Sequence, residues 1–252
     1  MRRNNLQIVV IVQARMGSTR LPGKILKQVL GKPLIQFLIE RLERIKLKNS
    51  IIVATTTNSK DDILIDLCKK LGISTFRGSE EDVLERFFQA ATQSKADVIV
   101  RICADSPLLD PLLIDEVIEY FLSNSYDYVT TGLERTFPLG MDVEVFSMKS
   151  FQSVSEQAKA VEEREHVTPF YYRHPELFRI GIFKAKEDYS KFRWTVDTIE
   201  DFEVVSQMLE MLYASHPEFS FSDIIELAKN HPKLQKINSH IQQRYVARTP
   251  NE

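Results

Sequence analysis

The chain has 252 residues, a hydrophobic fraction of 43% and a formal net charge of −2. That length accommodates one large α/β domain with at most a small appendage, and near-neutral charge leaves no electrostatic footprint for nucleic acid or an anionic membrane. No apolar run reaches membrane-spanning length, the basic start is followed by an apolar run too short for a signal peptide, and Cys68 and Cys103 lack disulfide or metal spacing, so a soluble cytoplasmic protein with two buried thiols is expected.

In chain order, residues 8–12 are five β-branched residues, which predicts a strand covered on both faces. The strand ends at Gln13. The following loop gathers Ala14, Arg15, Gly17, Ser18, Arg20, Gly23 and Lys24. Glycines let backbone approach an anion, N–H groups and a hydroxyl donate to its oxygens, and three cations neutralise it, so the loop suits polyphosphate. It is not a Walker A loop. Gly17 and Gly23 are one residue too far apart, and Ile25 stands where that motif needs a Mg²⁺-binding hydroxyl. The competing reading is a basic surface loop turning at Pro22-Gly23.

Pro33 opens a predicted helix with Leu34, Leu38, Leu42 and Ile45 inside and Glu40, Arg41 and Arg44 outside. Residues 51–54 predict a second buried strand, ending in Thr55-Thr-Thr-Asn58. Asp61 and Asp62 suit the positive end of the next helix, which Gly72 closes. Strands at 73–76 and 98–103 alternate with helices at 80–91 and 111–122. This alternation predicts an α/β fold, a mostly parallel Rossmann-like sheet with helices on both faces. After Tyr126 the rhythm changes: strands at 126–131, 142–146 and 178–183 flank a largely helical stretch at 151–172. A late amphipathic helix carries Phe202, Val205, Met208, Leu209 and Leu212, and residues 221–229 form the last ordered helix. The reading is one domain over 1–231, an insertion at 132–185, and a polar tail at 232–252 that is a helical arm or partly disordered.

Open parallel sheets bind ligands beyond the carboxyl ends of their strands. That rule selects the loops 13–24, 55–59, 77–82 and 104–110. Asp105, in Ala104-Asp105-Ser106-Pro107, suits Mg²⁺, or else caps the turn before the Pro111 helix. Facing a triphosphate loop, the metal role is the stronger reading. Asp197, in Val196-Asp-Thr-Ile-Glu-Asp201, is the second carboxylate, although that string is also a helix N-terminal signature. Both roles are compatible if Thr198 or Asp197 caps while Asp197 faces the metal. Ser79 contacts a base or caps a helix, Glu81 and Asp82 suit the first turn of that helix, and Arg86 braces the loop. Arg101, within a strand, needs a partner such as Asp105 or Asp197, or faces the crevice. Asp142 and Glu144 alternate onto one side of a strand, where they could bind sugar hydroxyls. His166 is an acceptor-site residue or a satisfied helix-face histidine. The other four histidines show no ligand spacing, and no hydrolase or zincin motif is present.

The string Gln13-Ala-Arg-Met-Gly-Ser-Thr-Arg-Leu-Pro-Gly-Lys24 resembles the signature of the sugar-acid cytidylyltransferases, which include the 3-deoxy-manno-octulosonate (KDO) and sialic-acid CMP-transferases. Within that group it resembles the spore coat polysaccharide SpsF branch. The resemblance runs to about Met211 and is densest in the first half. It implies a fold of the nucleotide-diphospho-sugar transferase type, Mg²⁺ as cofactor, and CTP with a small acidic sugar or phosphorylated acceptor as substrates. It implies a homodimer formed through residues 163–178, and the near-neutral charge adds no nucleic-acid or membrane partner. Residue by residue, it assigns the nucleotide to Gln13, Ala14, Arg15, Gly17, Ser18, Arg20, Lys24, Ser79 and Asp105. The chemistry falls to Arg15, Lys24 and Asp105, the metal to Asp105 and Asp197, and the acceptor to the segment with Asp142 and Glu144, beside which His166 is a candidate from its position alone. Residues 78–86 depart from the KDO enzymes, whose equivalent loop is rich in Thr, His and Gly.

Two alternatives stand beside it. A glycosyltransferase would share the architecture, but its usual Asp-x-Asp pair is missing after the fourth strand. A catalytically silent nucleotide-binding subunit would have no physical need for paired cations and carboxylates in one crevice.

Overall fold

Ile8–Gln13 forms β1, and all five of its β-branched side chains are buried. The structure is a computed structural model that describes residues 6–243. A short hairpin follows, β2 (Gln28–Val29) and β3 (Lys32–Pro33), turning at Leu30 and Gly31, which both have positive φ. Gly31 alone marks this hairpin in the sequence, which is too little to set it apart from a loop. Pro33 is therefore the last strand residue and caps α1 (Leu34–Leu42) rather than starting it. Arg41, expected outside, is 1% exposed. Its Nε and Nη1 donate to the carbonyls of Leu109 and Phe219 at 2.9 and 3.1 Å, and its guanidinium lies on the Phe219 ring. A cation can be buried there because loop carbonyls and an aromatic face replace water.

The chain then alternates: β4 (Ser50–Thr56), α2 (Asp62–Lys70), β5 (Ser74–Gly78), α3 (Val83–Gln93), β6 (Val98–Cys103) and α4 (Pro111–Ser123). The second part adds β7 (Tyr128–Thr130), β8 (Glu144–Ser147), α5 (Met148–Gln157), α6 (Val161–His166), α7 (Pro169–Arg173) and β9 (Ile180–Ile182). The strands join one seven-stranded sheet in the order β5-β4-β1-β6-β8-β7-β9. β1 pairs in parallel with both β4 and β6, whereas β8 runs antiparallel to β6 and β7. The stretch 132–185 thus contributes strands to the main sheet itself.

Alternation along the strands divides the core in two. Val10, Val12, Val98 and Val100 face α1, α4 and two late helices, α8 (Ile199–Ser215) and α9 (Phe221–Asn230). Val9, Ile11 and Ile99 face α3, α5 and α7. Chain order reverses on either side of β1 and β6, so their carboxyl ends form the topological switch point.

After α9 the chain forms α10 (Pro232–Lys236), so α9 is not the last helix. Leu234 is 6% exposed against the core, and Asn238 is buried. The chain therefore stays packed on the domain as far as Asn238, and residues 244–252 of the expected tail lie outside the described part. Among the described residues no helix is long and apolar enough to cross a membrane.

One glycine decides how the late chain reaches the switch point. Leu139 pairs with the strand-like segment at 192–194: its N–H donates to Phe192 O at 3.0 Å, and its carbonyl accepts from Trp194 N at 2.7 Å. Gly140 has φ +100, and a Cβ there would lie 2.6 Å from Thr195 N and 2.7 Å from Trp194 C. Both are backbone atoms and cannot swing away. Gly140→Ala is expected to cost about 2 kcal/mol or more in urea unfolding, since it combines a strained φ with a backbone clash.

Candidate active site

The loop after β1 is shaped by its own turns. Gly23 takes φ 67, and Lys24–Leu26 form one 3-10 turn that carries Lys24 inward. Ser18 Oγ accepts from Leu21 N at 3.3 Å, tightening the intervening turn. The loop is also pinned from outside, by Asp61. This carboxylate is 2% exposed and accepts from Met16 N at 2.7 Å, Thr55 Oγ1 at 2.8 Å and Thr56 N at 3.1 Å, with a further bond from Thr56 Oγ1. Burial alone would raise the Asp61 pKa, but the donors from Thr56, Met16 and Thr55 outweigh it and hold the group below the usual carboxylate value. By sequence alone Asp61 suits a helix start. Its inward turn depends on the side chain meeting a loop 45 residues earlier.

Opposite the loop, at the tip of β6, stands Asp105. Its carbonyl accepts from Val196 N at 2.8 Å, which draws the late segment alongside. Asp197 therefore arrives next to Asp105, although 92 positions apart by their numbers. Thr198 and Asp201 form the capping box of α8, so Thr198 is the cap and Asp197 is left to face inward. Lys24 Nζ sits between the two carboxylates, 2.7 Å from Asp105 Oδ2 and 2.8 Å from Asp197 Oδ1. Arg20 reaches the same Asp197 oxygen at 3.1 Å. Burial tends to lower the Lys24 pKa, but Asp105 and Asp197 outweigh it and raise it above the ordinary value. Asp197 is held below its own, against the pull of burial, chiefly by Lys24.

These residues line a crevice of about 330 Å³ at the switch point. Of the sequence-predicted residues, Gln13, Ala14, Arg15, Gly17, Ser18, Arg20, Lys24, Asp105, His166 and Asp197 are brought together there. Thr19, Ile25, Cys103 and Ala104 also line it and were not singled out as site residues. Cys103 follows from register, since it is the β6 partner of Gln13. Burial pushes its thiol up to about 12, so it stays neutral. His166 is held below the usual imidazole value, first by burial.

Three predicted residues stand elsewhere. Ser79 Oγ accepts from Asp82 N at 3.0 Å, and its carbonyl accepts from Arg86, which braces the loop as expected. The cap of α3 is Asp82, which accepts from Glu85 N. Asp142 pairs with Arg135 at 2.6 Å and accepts from Gly140 N. Glu144 is engaged by Arg101, by the Tyr128 hydroxyl and by Thr168 Oγ1 at 2.7 Å. Arg101 therefore pairs with Glu144, across the β6–β8 register, and not with Asp105 or Asp197. Its Nη2 also donates to Gln13 Oε1 at 2.9 Å. An arginine only donates, so the Gln13 amide must turn its oxygen to Arg101 and keep its NH₂ for another partner.

Asp105 and Asp197 also pass a test of fit for a divalent ion. Each already brings an oxygen within 2.8 Å of one Nζ atom, so the same two oxygens are within reach of one cation. Hard carboxylate oxygens are the donors Mg²⁺ prefers, and it takes its remaining ligands from phosphate and water.

An open α/β sheet that sets a cationic Gly/Ser loop opposite two carboxylates at its switch point suits a nucleotide-dependent transferase. The chain belongs to the cytidylyltransferase family, whose model matches residues 9–244. It is 35% identical over 232 residues to the spore coat polysaccharide biosynthesis protein SpsF of Bacillus subtilis, covering 89% of this chain and 95% of that one. It is 40% identical over 121 residues to a 3-deoxy-manno-octulosonate cytidylyltransferase of Trichlorobacter lovleyi, covering 47% and 46%. Among solved structures, a cytidylyltransferase from Leptospira borgpetersenii superposes with TM-score 0.88 at 35% identity, covering 96% of this chain and 100% of that one.

Proposed function

We propose that the chain transfers CMP from CTP to an acidic sugar or related acceptor in surface polysaccharide biosynthesis, releasing pyrophosphate. The observation that carries this reading is Lys24 Nζ bridging Asp105 and Asp197 beside the Gly17–Ser18 turn. An acceptor oxygen attacks the α-phosphorus in line. The new O–P bond forms as the bond from that phosphorus to the β-phosphate oxygen breaks, and the acceptor proton passes to solvent. No covalent enzyme intermediate is required, so the protein contributes position and charge. Arg15, Arg20 and Lys24 neutralise the departing phosphates, and the backbone around Gly17 and Ser18 cradles them. Asp105 and Asp197 would hold a divalent cation, Mg²⁺ by preference, which would supply charge stabilisation to the phosphates. The NH₂ of Gln13 and the neutral His166 imidazole face the remaining space of the crevice, where an acceptor rich in oxygen atoms finds donors. Asp142 and Glu144 support this part through their partners: Glu144 holds Arg101 behind Gln13, and Asp142 accepts from Gly140 N.

Action in the cytoplasm and pairing of two copies belong to the same reading. The pairing is supported by the exposed Val161 and Leu177 in the stretch at 132–185.

The test is thermal unfolding with Mg²⁺ and each of CTP, UTP, ATP and GTP. CTP at about a hundred times its dissociation constant is expected to stabilise by roughly 2.7 kcal/mol, with little effect from the others. Stabilisation by UTP or by nucleoside diphosphates would favour a glycosyltransferase. Product analysis then separates the two, because one releases pyrophosphate and the other a nucleoside diphosphate.

A further inference from the structure

Asp197 is gripped from behind, by residues that lead to the far C-terminal stretch. Its Oδ1 faces Lys24 and Arg20, while Oδ2 accepts from Arg193 Nη2 at 3.2 Å. Arg193 is 7% exposed and holds Asp201 with two parallel bonds, from Nε and Nη2, both 2.8 Å. The fully buried Asp201 also accepts from the backbone N–H groups of Asp197 and Thr198, at 3.1 Å each. A further donor to this carboxylate is Asn238. Its amide nitrogen bonds Asp201 Oδ1 and the Arg193 carbonyl, both at 2.9 Å. Asn238 is 2% exposed, so water does not substitute for it. Five residues on, Gln243 Oε1 accepts from Arg193 Nη1 at 2.6 Å.

We propose that Asn238 is a positioning residue for the divalent cation. Through Arg193 and Asp201 it sets the rotation of the Asp197 carboxylate, so that Oδ1 is the oxygen offered to the crevice. The inference rests on reading Asp197 as a metal ligand. The guanidinium is planar, and its forked bonds to Asp201 fix the plane in which Nη2 meets Asp197. Asn238 ties the backbone and the anionic partner of that fork to each other. Without it Asp201 and the Arg193 carbonyl each lose a donor, the fork can tilt, and Oδ2 is no longer held back. Partners one layer behind a metal ligand commonly change metal affinity by about 10- to 100-fold.

The test uses the full chain and Mn²⁺ as a paramagnetic probe, titrated with and without CTP. The variants are Asn238→Ala, Asn238→Ser, Leu234→Ala and Asp197→Ala. Leu234→Ala loosens α10 from the core without touching the hydrogen-bonded path. Asn238→Ala is expected to weaken Mn²⁺ binding by about tenfold and leave metal-free CTP binding unchanged. Asn238→Ser, which keeps a donor, should fall between Asn238→Ala and the parent, and remains the readable variant if the alanine form does not fold. Leu234→Ala should lower the melting temperature and bind Mn²⁺ like the parent. Parent-like Mn²⁺ affinity in both Asn238 variants overturns the proposal, and so does equal weakening by Leu234→Ala. If Asp197→Ala binds Mn²⁺ as tightly as the parent, the metal assignment of Asp197 itself fails, and the proposal with it.

Discussion

Replacing Lys24 by alanine is expected to lower turnover by about a hundredfold or more while leaving the fold in place. Among the described residues the ammonium is the one group that touches both carboxylates, and it projects from a loop that also presents Gly17 and Ser18 to the crevice. In the proposed mechanism its removal takes away a positive charge that would offset the charge developing as pyrophosphate departs. The fold survives because Asp197 keeps Arg20 and Arg193, and because the Asp105 side chain retains 23% exposure and can be solvated. The Lys24 pKa is raised in the folded protein, so its contribution to stability is fully present below the unfolded lysine value of about 10.4 and is lost as pH climbs through the higher folded value. Lys24→Ala should therefore unfold with a flatter dependence on alkaline pH. Pyrophosphate release, followed beside far-ultraviolet circular dichroism, provides the check. Undiminished turnover in a folded Lys24→Ala protein would remove the cytidylyl-transfer mechanism as described.

Asp61→Ala is expected to destabilise the protein by about 3 kcal/mol or more, the largest stability effect at the site. The substitution leaves Met16 N, Thr55 Oγ1 and the Thr56 amide and hydroxyl without their acceptor in a buried place, and each orphaned donor costs roughly 1–3 kcal/mol before relaxation. It should also weaken CTP binding, because Met16 lies in the middle of the loop proposed to hold the phosphates and loses its tether to β4. The pH dependence gives a second handle. The folded Asp61 pKa lies below its unfolded value, so its stabilising contribution is present above about pH 4 and is lost as pH falls through the folded pKa. The variant should accordingly show less acid-dependent loss of stability than the parent. Urea unfolding at pH 7 and at progressively lower pH measures both effects, and a parent-like midpoint throughout would show that the loop does not depend on this carboxylate.

The uneven legibility of the chain has physical causes. Local pattern was enough for β1, for the alternation through α4, and for the loop from Gln13 to Lys24. A run of β-branched residues has few alternatives to a buried strand, and a dense set of glycine, hydroxyl and cation after it marks a loop that the structure brings to one crevice. The string at 196–201 could also be read correctly as a helix cap with an inward Asp197, because capping geometry is local. Boundaries were less clear where a turn rests on a single residue, as at the hairpin closed by Leu30 and Gly31.

What the sequence determined by itself is the set of chemical groups: three cations, two carboxylates, and the strands that end beside them. Only the tertiary structure decided their partners. Arg101 met Glu144 because β8 enters antiparallel beside β6, a pairing that no spacing along the chain encodes. Arg41 turned inward because two distant carbonyls and the Phe219 ring were waiting for it. Asp61 became the tether of the loop after β1, and Asn238 a donor to Asp201 behind Asp197, through contacts spanning 45 and 37 positions. A buried charge takes whichever complementary group the folded chain brings within about 3 Å, and that choice depends on three-dimensional proximity that local patterns do not carry.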